Sequence, residues 1–193
     1  VKYVEFYHPE LIPNLTTVRS PHIILGGVIK TYWAKKMGVD PAKIYVVSIM
    51  PCTSKKFEIT RDELKIGGLK PVDFVLTTRE LAFLFIRHGI DLKKITPEPC
   101  DSPLGKPSGA GLIYGASGGV MESALRTAYE KMTGEDLPRL EFEGVRGIGG
   151  IKTAEVDIKG RKVEVAVVNE IRNAKKVIDE LKKEPHKYDY VEV

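Results

Sequence analysis

Ten residues, Ile49-Met50-Pro51-Cys52-Thr53-Ser54-Lys55-Lys56-Phe57-Glu58, concentrate the groups best suited to chemistry. Cys52 places a thiol just past an apolar run, with Lys55, Lys56 and Glu58 close behind it. A thiolate can ligate a soft metal, an ammonium can hold an anion beside it, and a carboxylate can pass protons. Singly, each has a plainer reading: Cys52 as a small buried hydrophobe, Lys55 and Lys56 as solvated charges, Glu58 as a surface carboxylate. Their combination carries the case for a site. Catalysis by the thiol as nucleophile requires a histidine partner, and His8, His22, His88 and His186 fall in no recognisable arrangement. An iron–sulfur cluster takes about four thiolates, whereas Cys52 and Cys100 are the only cysteines. The stretch therefore reads as part of a metal site that this chain alone does not complete.

A second candidate is Ser108-Gly109-Ala110-Gly111-Leu112-Ile113-Tyr114-Gly115-Ala116-Ser117-Gly118-Gly119. Gly109-x-Gly111 invites a dinucleotide reading, but the next glycine comes one residue too late for GxGxxG and no strand clearly precedes it. GxxxxGK[ST] is absent from the sequence. Glycines here suit backbone brought close to a bulky ligand; the alternative is an elaborate loop ending in a Ser117 helix cap. Gly144-Val145-Arg146-Gly147-Ile148-Gly149-Gly150 reads as turns between strands.

The elements that position these residues alternate. Ser20-Pro21 starts a helix over about 21–37, with Ser20 as its cap, Ile24, Val28, Tyr32 and Trp33 on related turns, and Gly38 as its stop. Ile44 to Ile49 reads as a buried strand, so the thiol lies at a strand's C-terminal edge, where α/β folds bind ligands. Asp73 to Thr77 is a second strand, and Thr77-x-x-Glu80 is a capping box opening a helix that ends near Gly89. A proline-rich connection over 91–108 marks the boundary between a first lobe (1–100) and a second (101–193). The second lobe is expected to hold a helix over about 119–132, strands at 140–145, 152–158 and 162–168, a helix over about 170–183 and a last strand at 188–191. The class is α/β, two-lobed, with parallel or mixed sheets flanked by helices.

Composition sets the outer bounds. The chain has 193 residues, 42% apolar and 29% charged, as in soluble globular proteins. Neither a run of about 20 apolar residues nor a secretory h-region is present. The formal charge of +4 is spread over separate lysine pairs, which disfavours nucleic acid as a partner. Two cysteines fit a reduced, cytoplasmic chain. Starting at Val1 without Met, the chain is expected to be an excerpt of something longer.

MPCTSKKFE at 50–58, TTREL at 77–81 and SGAGLIYGASGGVMESALR at 108–126 together resemble the iron-only (FeFe-type) hydrogenases, as do RSP at 19–21, VRGIGGIKTAEV at 145–156 and the closing YDYVEV. The resemblance runs in order along essentially the whole chain. It implies the domain that binds the H-cluster, a 4Fe–4S cubane joined through a cysteine sulfur to a di-iron centre with CO, cyanide and dithiolate ligands. The family's cluster cysteines come from three motifs, resembling TSCCPxW, MPCxxKKxE and MACxGGC, and only the second is present here.

Carried over by position, the resemblance implies Cys52 as a cubane ligand, Lys55 as the partner of a cyanide ligand, and Glu58 as a proton-handling carboxylate. It implies Met50 and Pro51 beside the cluster, Ser20, Pro21 and His22 as pocket residues, and Tyr114 and Gly115 as part of the wall. Thr16 stands where the family often has a serine relaying protons. His22 departs from a common Gln and Tyr114 from a common Phe, while Cys100 matches no ligand. The implied activity is reversible proton reduction to H2 by the parent protein, with this chain alone inactive. The implied partners are the remaining parent segments, an electron carrier such as ferredoxin or NADH-linked subunits, and cofactor-maturation proteins, with no membrane. The alternative is a hydrogenase-like chain used in iron–sulfur assembly or redox sensing.

Overall fold

The computed structural model describes residues 1–101, 104–138, 143–144 and 149–193. The chain divides into two compact units, Tyr3–Gly105 together with Val1, and Lys106–Val193.

The first unit opens with α1 (Lys2–Tyr7), which the Arg61 guanidinium ties down through two hydrogen bonds to Glu5, at 2.8 and 2.6 Å. α2 (Pro21–Val28) then runs through a π-helical turn (Ile29–Trp33) into α3 (Ala34–Met37), and Gly38 ends the run in the left-handed conformation at φ 66°. The extent matches the sequence expectation, but the buried face does not. Ile23, Gly26, Gly27, Lys30 and Ala34 point inward, whereas Ile24 and Tyr32 are exposed. Two causes fix that face. A Cβ on Gly26 would lie 2.3 Å from the Pro71 carbonyl oxygen, so only glycine lets the helix approach there. Lys30 is buried against Asp73, with Nζ donating to Oδ1 at 2.8 Å and to Oδ2 at 2.6 Å. Asp73 Oδ2 also accepts from the Val46 amide at 2.7 Å, so one carboxylate joins the helix to the start of the first strand.

β1 (Val47–Met50) and β2 (Phe74–Thr77) pair in parallel, Val47 opposite Phe74 and Met50 opposite Thr77. Strand alternation turns Ser48, Met50 and Val75 to one side. There Val75 packs with Ile23 and Val72, with Met50, Ile59 and Leu64 around them. The other side holds Val47, Ile49 and Phe74, which are exposed. β1 is thus covered on one face rather than buried, a correction to the sequence expectation. The run Ile44 to Ile49 lacks strict alternation, and an apolar run does not say how many faces are covered. Between the strands lies α4 (Ser54–Glu58), and after β2 comes α5 (Thr78–Arg87) with the expected capping box.

In the second unit α6 (Gly109–Ile113), capped by Ser108, precedes α7 (Gly119–Thr133). The sheet runs β3-β4-β5-β6, mixed in sense: β3 (Glu143–Gly144) and β5 (Arg161–Val168) flank β4 (Ile151–Ile158) antiparallel, and β6 (Tyr190–Glu192) joins β5 in parallel. Most of the strand expected at 140–145 lies outside the described residues. The β4–β5 turn uses Lys159 and Gly160, both at positive φ (54° and 82°), the geometry of a tight two-residue hairpin. Val165, Ala166, Val167 and Val168 are all buried because β5 is covered on both faces. Val165 and Val167 pack with Met121 and Leu125 of α7, and Ala166 and Val168 with Ala174 and Val177 of α8 (Ile171–Lys183). Each fully buried valine or methionine among them contributes about 1.5–3 kcal/mol. This is the α/β layering that the sequence indicates.

Candidate functional site

β1 delivers Met50 to its end, and the chain turns through Pro51 and Cys52 into α4. The Lys55 amide donates to the Cys52 carbonyl at 3.3 Å and the Lys56 amide to that of Thr53 at 3.0 Å, closing the helix's entry. The Cys52 thiol is exposed and free, as a metal ligand must be before loading. Met50 is half-buried against the Ile23–Val75 core.

α4 spaces Lys55 and Glu58 by three residues, which puts them on one face. Lys55 Nζ donates to Glu58 Oε2 at 2.9 Å. His22, in the first turn of α2, reaches the same oxygen, Nε2 to Oε2 at 2.9 Å, while its Nδ1 lies 3.1 Å from Ser48 Oγ on the covered face of β1. The His22 side chain is only 8% exposed. Burial disfavours the Glu58 charge, but hydrogen bonds from His22 and then Lys55 outweigh it, and the Glu58 pKa is lowered. Ser20 adds to that lowering. Its Oγ is nonetheless buried with no partner in hydrogen-bonding geometry and makes no cap bond. We read its influence on Glu58 as dipolar, and the expected Ser20 cap is not formed.

Lys56 turns the other way. Its Nζ lies 2.5 Å from Glu80 Oε1, while Glu80 Oε2 accepts from the Thr77 amide and hydroxyl at 2.8 and 2.9 Å. The Lys56 bond, followed by the Thr77 bonds, lowers the Glu80 pKa to about 2. The second lysine of the motif and the TTREL segment therefore form one device that ties α4 to the start of α5.

Thr16 sits in an exposed loop, where its Oγ1 accepts from the Val18 amide at 3.2 Å. Among the described residues it makes no hydrogen bond to the Glu58 network. Pro21 is the first residue of α2, and Pro51 is an exposed bend. The first unit thus joins His22, Lys55 and Glu58 in one network beside Cys52, which sequence reasoning treated as separate pocket, ligand-partner and proton groups. It adds Ser48, which sequence reasoning missed. The alternation of β1 is the signal that could have placed Ser48 on the α2 side.

The glycine-rich stretch belongs to the second unit. Tyr114 is the C-cap of α6 and Gly115 follows it in a turn. A Cβ at Gly119 would lie 1.8 Å from the Ile113 carbonyl oxygen, so this glycine accommodates the chain's own backbone and not a ligand. Gly115 is more open, with Leu112 O at 3.7 Å. The Ser117 cap is also corrected. Its Oγ donates to Asn169 Oδ1 at 2.7 Å, and the cap position is Gly118 at φ 87°. Glu192 of β6 supplies the capping oxygens, accepting from the Gly118 amide at 2.9 Å and the Met121 amide at 2.8 Å. A carboxylate already fills the α7 N-terminus, which argues against a phosphate there.

Among the described residues, no group of three or more His, Cys, Asp and Glu is placed to hold a metal ion, and no helix is long and apolar enough to cross a membrane. The donor set fits one edge of an iron–sulfur group: one exposed thiol, followed by the helix that carries the Lys55 ammonium.

Comparison with known proteins follows the same line. A family model described as "Iron only hydrogenase large subunit, C-terminal domain" matches residues 1–193. The chain is 45% identical over 191 residues to the "Periplasmic [Fe] hydrogenase large subunit" of Nitratidesulfovibrio vulgaris, covering 99% of this chain and 45% of that protein. It is 42% identical over 193 residues to "Iron hydrogenase 1" of Clostridium pasteurianum, covering 100% of this chain and 34% of that protein. Among solved structures it is similar to the apo [FeFe]-hydrogenase HydA1 of Chlamydomonas reinhardtii, variant C377H, with a TM-score of 0.85 at 37% identity, covering 98% of this chain and 55% of that one. A more distant relative is "Cytosolic iron-sulfur assembly component 3" of Mus musculus, 30% identical over 99% of this chain and 41% of that protein. The chain spans about half or less of the curated relatives it matches. With its fold, its motif geometry and a match along its whole length in agreement, the chain belongs to the iron-only hydrogenase large subunit family.

Proposed function

We propose that this chain is the central portion of an iron-only hydrogenase catalytic domain and contributes one thiolate, that of Cys52, to the cubane of an H-cluster. The observation that carries this reading is the exposed Cys52 thiol at the end of β1, next in sequence to the helix that presents Lys55 and Glu58. When bound, the H-cluster supplies reversible reduction of protons to H2.

The chain's own residues have simpler tasks. Cys52 would hold iron through its Sγ. Lys55 offers a charge-assisted hydrogen bond to an anionic ligand such as cyanide. Glu58, ionised at neutral pH, holds and releases a proton at its carboxylate oxygens. The Thr16 hydroxyl can both donate and accept, and its relay role rests on family resemblance alone. Met50, Pro51, Ser20, Pro21, Tyr114 and Gly115 are assigned to cofactor contact by family resemblance alone. The missing cubane ligands come from other segments of the parent protein, which also bring in its electron carrier, ferredoxin or an NADH-linked subunit, and its maturation proteins. Two free thiols favour a reducing, cytoplasmic setting, although one relative is periplasmic by name.

The assembly-factor relative supports a second reading, an iron–sulfur scaffold without turnover. The Lys55–Glu58 pair on the helix after Cys52 favours the hydrogenase, because an ammonium shared with Glu58 is able to serve an anionic cofactor ligand as well. One expected outcome tests the ligand count. Reconstitution of the isolated 193-residue chain with iron and sulfide gives no stoichiometric cubane by EPR after reduction, because one thiolate does not hold four irons. An intact 4Fe–4S signal at one cluster per chain contradicts the reading.

A further inference from the structure

We propose that His22 is a positioning residue for the Glu58–Lys55 pair: it is held by Ser48 and donates through Nε2 to the same Glu58 oxygen that binds Lys55. This rests on the proposed function only for the use the pair is put to. The contact itself stands on geometry.

Glu58 Oε2 receives His22 Nε2 at 2.9 Å and Lys55 Nζ at 2.9 Å. Glu58 is the acid of this trio and is ionised near neutral pH. A carboxylate only accepts, so Nε2 must carry the hydrogen. In the neutral ring Nδ1 is then the acceptor, and the Ser48 hydroxyl, 3.1 Å away, is its donor. Ser48 on β1 and Glu58 on α4 thereby fix one tautomer and one ring orientation, and the 8% exposure of the side chain leaves little room for another. The groups facing the ring and its carboxylate are Ser48 from β1, Lys55 and Glu58 from α4, and Ser20 at the start of α2.

The arrangement has a functional consequence. If Lys55 were the sole donor to Glu58, drawing its ammonium to an anionic ligand would leave a half-buried carboxylate without a partner, which is costly. With His22 on the same oxygen, Glu58 keeps a donor and stays charged when Lys55 turns away. His22 therefore lets Lys55 serve an anion while Glu58 remains ready to take a proton. An amide donor in its place supplies the hydrogen bond without the Ser48-fixed ring.

The test uses the cofactor-free full polypeptide, with Glu58 followed by carboxyl carbon NMR against pH. His22→Leu is expected to move the Glu58 midpoint upward by about half a unit or more, and His22→Gln to restore part of that shift. In the unsubstituted protein, imidazole nitrogen NMR is expected to show a proton on Nε2 of His22. That measurement stands even if the leucine variant fails to fold. An unchanged Glu58 midpoint in a folded His22→Leu protein, or an Nδ1–H tautomer, overturns the proposal. Because no cofactor is present, neither outcome depends on whether the protein is a hydrogenase.

Discussion

Cys52→Ala in the full polypeptide is expected to cost more cluster occupancy than the roughly 10–100-fold lost when an outer partner of a metal site is removed. The reason is the poverty of the donor set. Cys52 is exposed and free, and among the described residues no group of three or more His, Cys, Asp and Glu is placed to hold a metal in its stead. On the proposed ligand set, alanine would leave the cluster one thiolate short of the roughly four it takes. The fold should tolerate the change, since the thiol lies outside the packed Ile23–Val75 core. Iron per polypeptide and the reduced-state EPR intensity measure the effect. Cys100→Ala, altering a free exposed thiol in the segment after α5, is expected to leave both readings as they are. Full iron content in Cys52→Ala contradicts the ligand assignment.

The second large effect is on stability. Lys30→Ala leaves Asp73 facing the first unit's interior without its cation. Losing one partner of a buried pair costs about 3–5 kcal/mol. The Asp73 side chain retains 19% exposure, so roughly 2–4 kcal/mol is expected here. For a chain of this size, that lowers Tm by about 4–16 °C. Lys30→Met/Asp73→Asn removes both charges and should recover part of the loss, as paired removal of buried ions does. Thermal or urea unfolding followed through the single tryptophan, Trp33 in the same π turn, measures both variants. A Lys30→Ala protein as stable as its parent would show that the pair does not join α2 to β1.

Lys30 also shows where sequence reasoning runs out. The periodic apolar positions Ile24, Val28, Tyr32 and Trp33 suggested a face for α2, but a helix can turn glycines and a paired lysine inward when a neighbouring backbone comes close. Gly26 against Pro71 and Lys30 against Asp73 decide the true face, and neither appears in a hydrophobic pattern. The same holds for Glu192, which caps a helix more than seventy residues earlier in the chain. Long-range caps leave no local signature. Features set by neighbours in sequence were legible: the Thr77–Glu80 capping box, the strands realised as β4 and β5 and the helix realised as α8.

The site divides along the same line. The closeness of Lys55 to Glu58, one helical turn after Cys52, was readable because their spacing falls within one strand end and one helical turn. That His22 meets Glu58 across 36 positions, with Ser48 behind it, required the fold. The role of Lys56 was likewise hidden, since its partner lies in another motif.

The central claim is that this chain forms part of a domain that makes and consumes H2. The most direct measurement is H2 evolution from a reduced viologen by the full polypeptide, matured with its cofactor, beside the isolated 193-residue chain treated identically. The account predicts sustained H2 evolution by the full polypeptide and none by the isolated chain. A full polypeptide that holds its iron–sulfur cluster yet evolves no H2 would contradict it in favour of the assembly-factor reading.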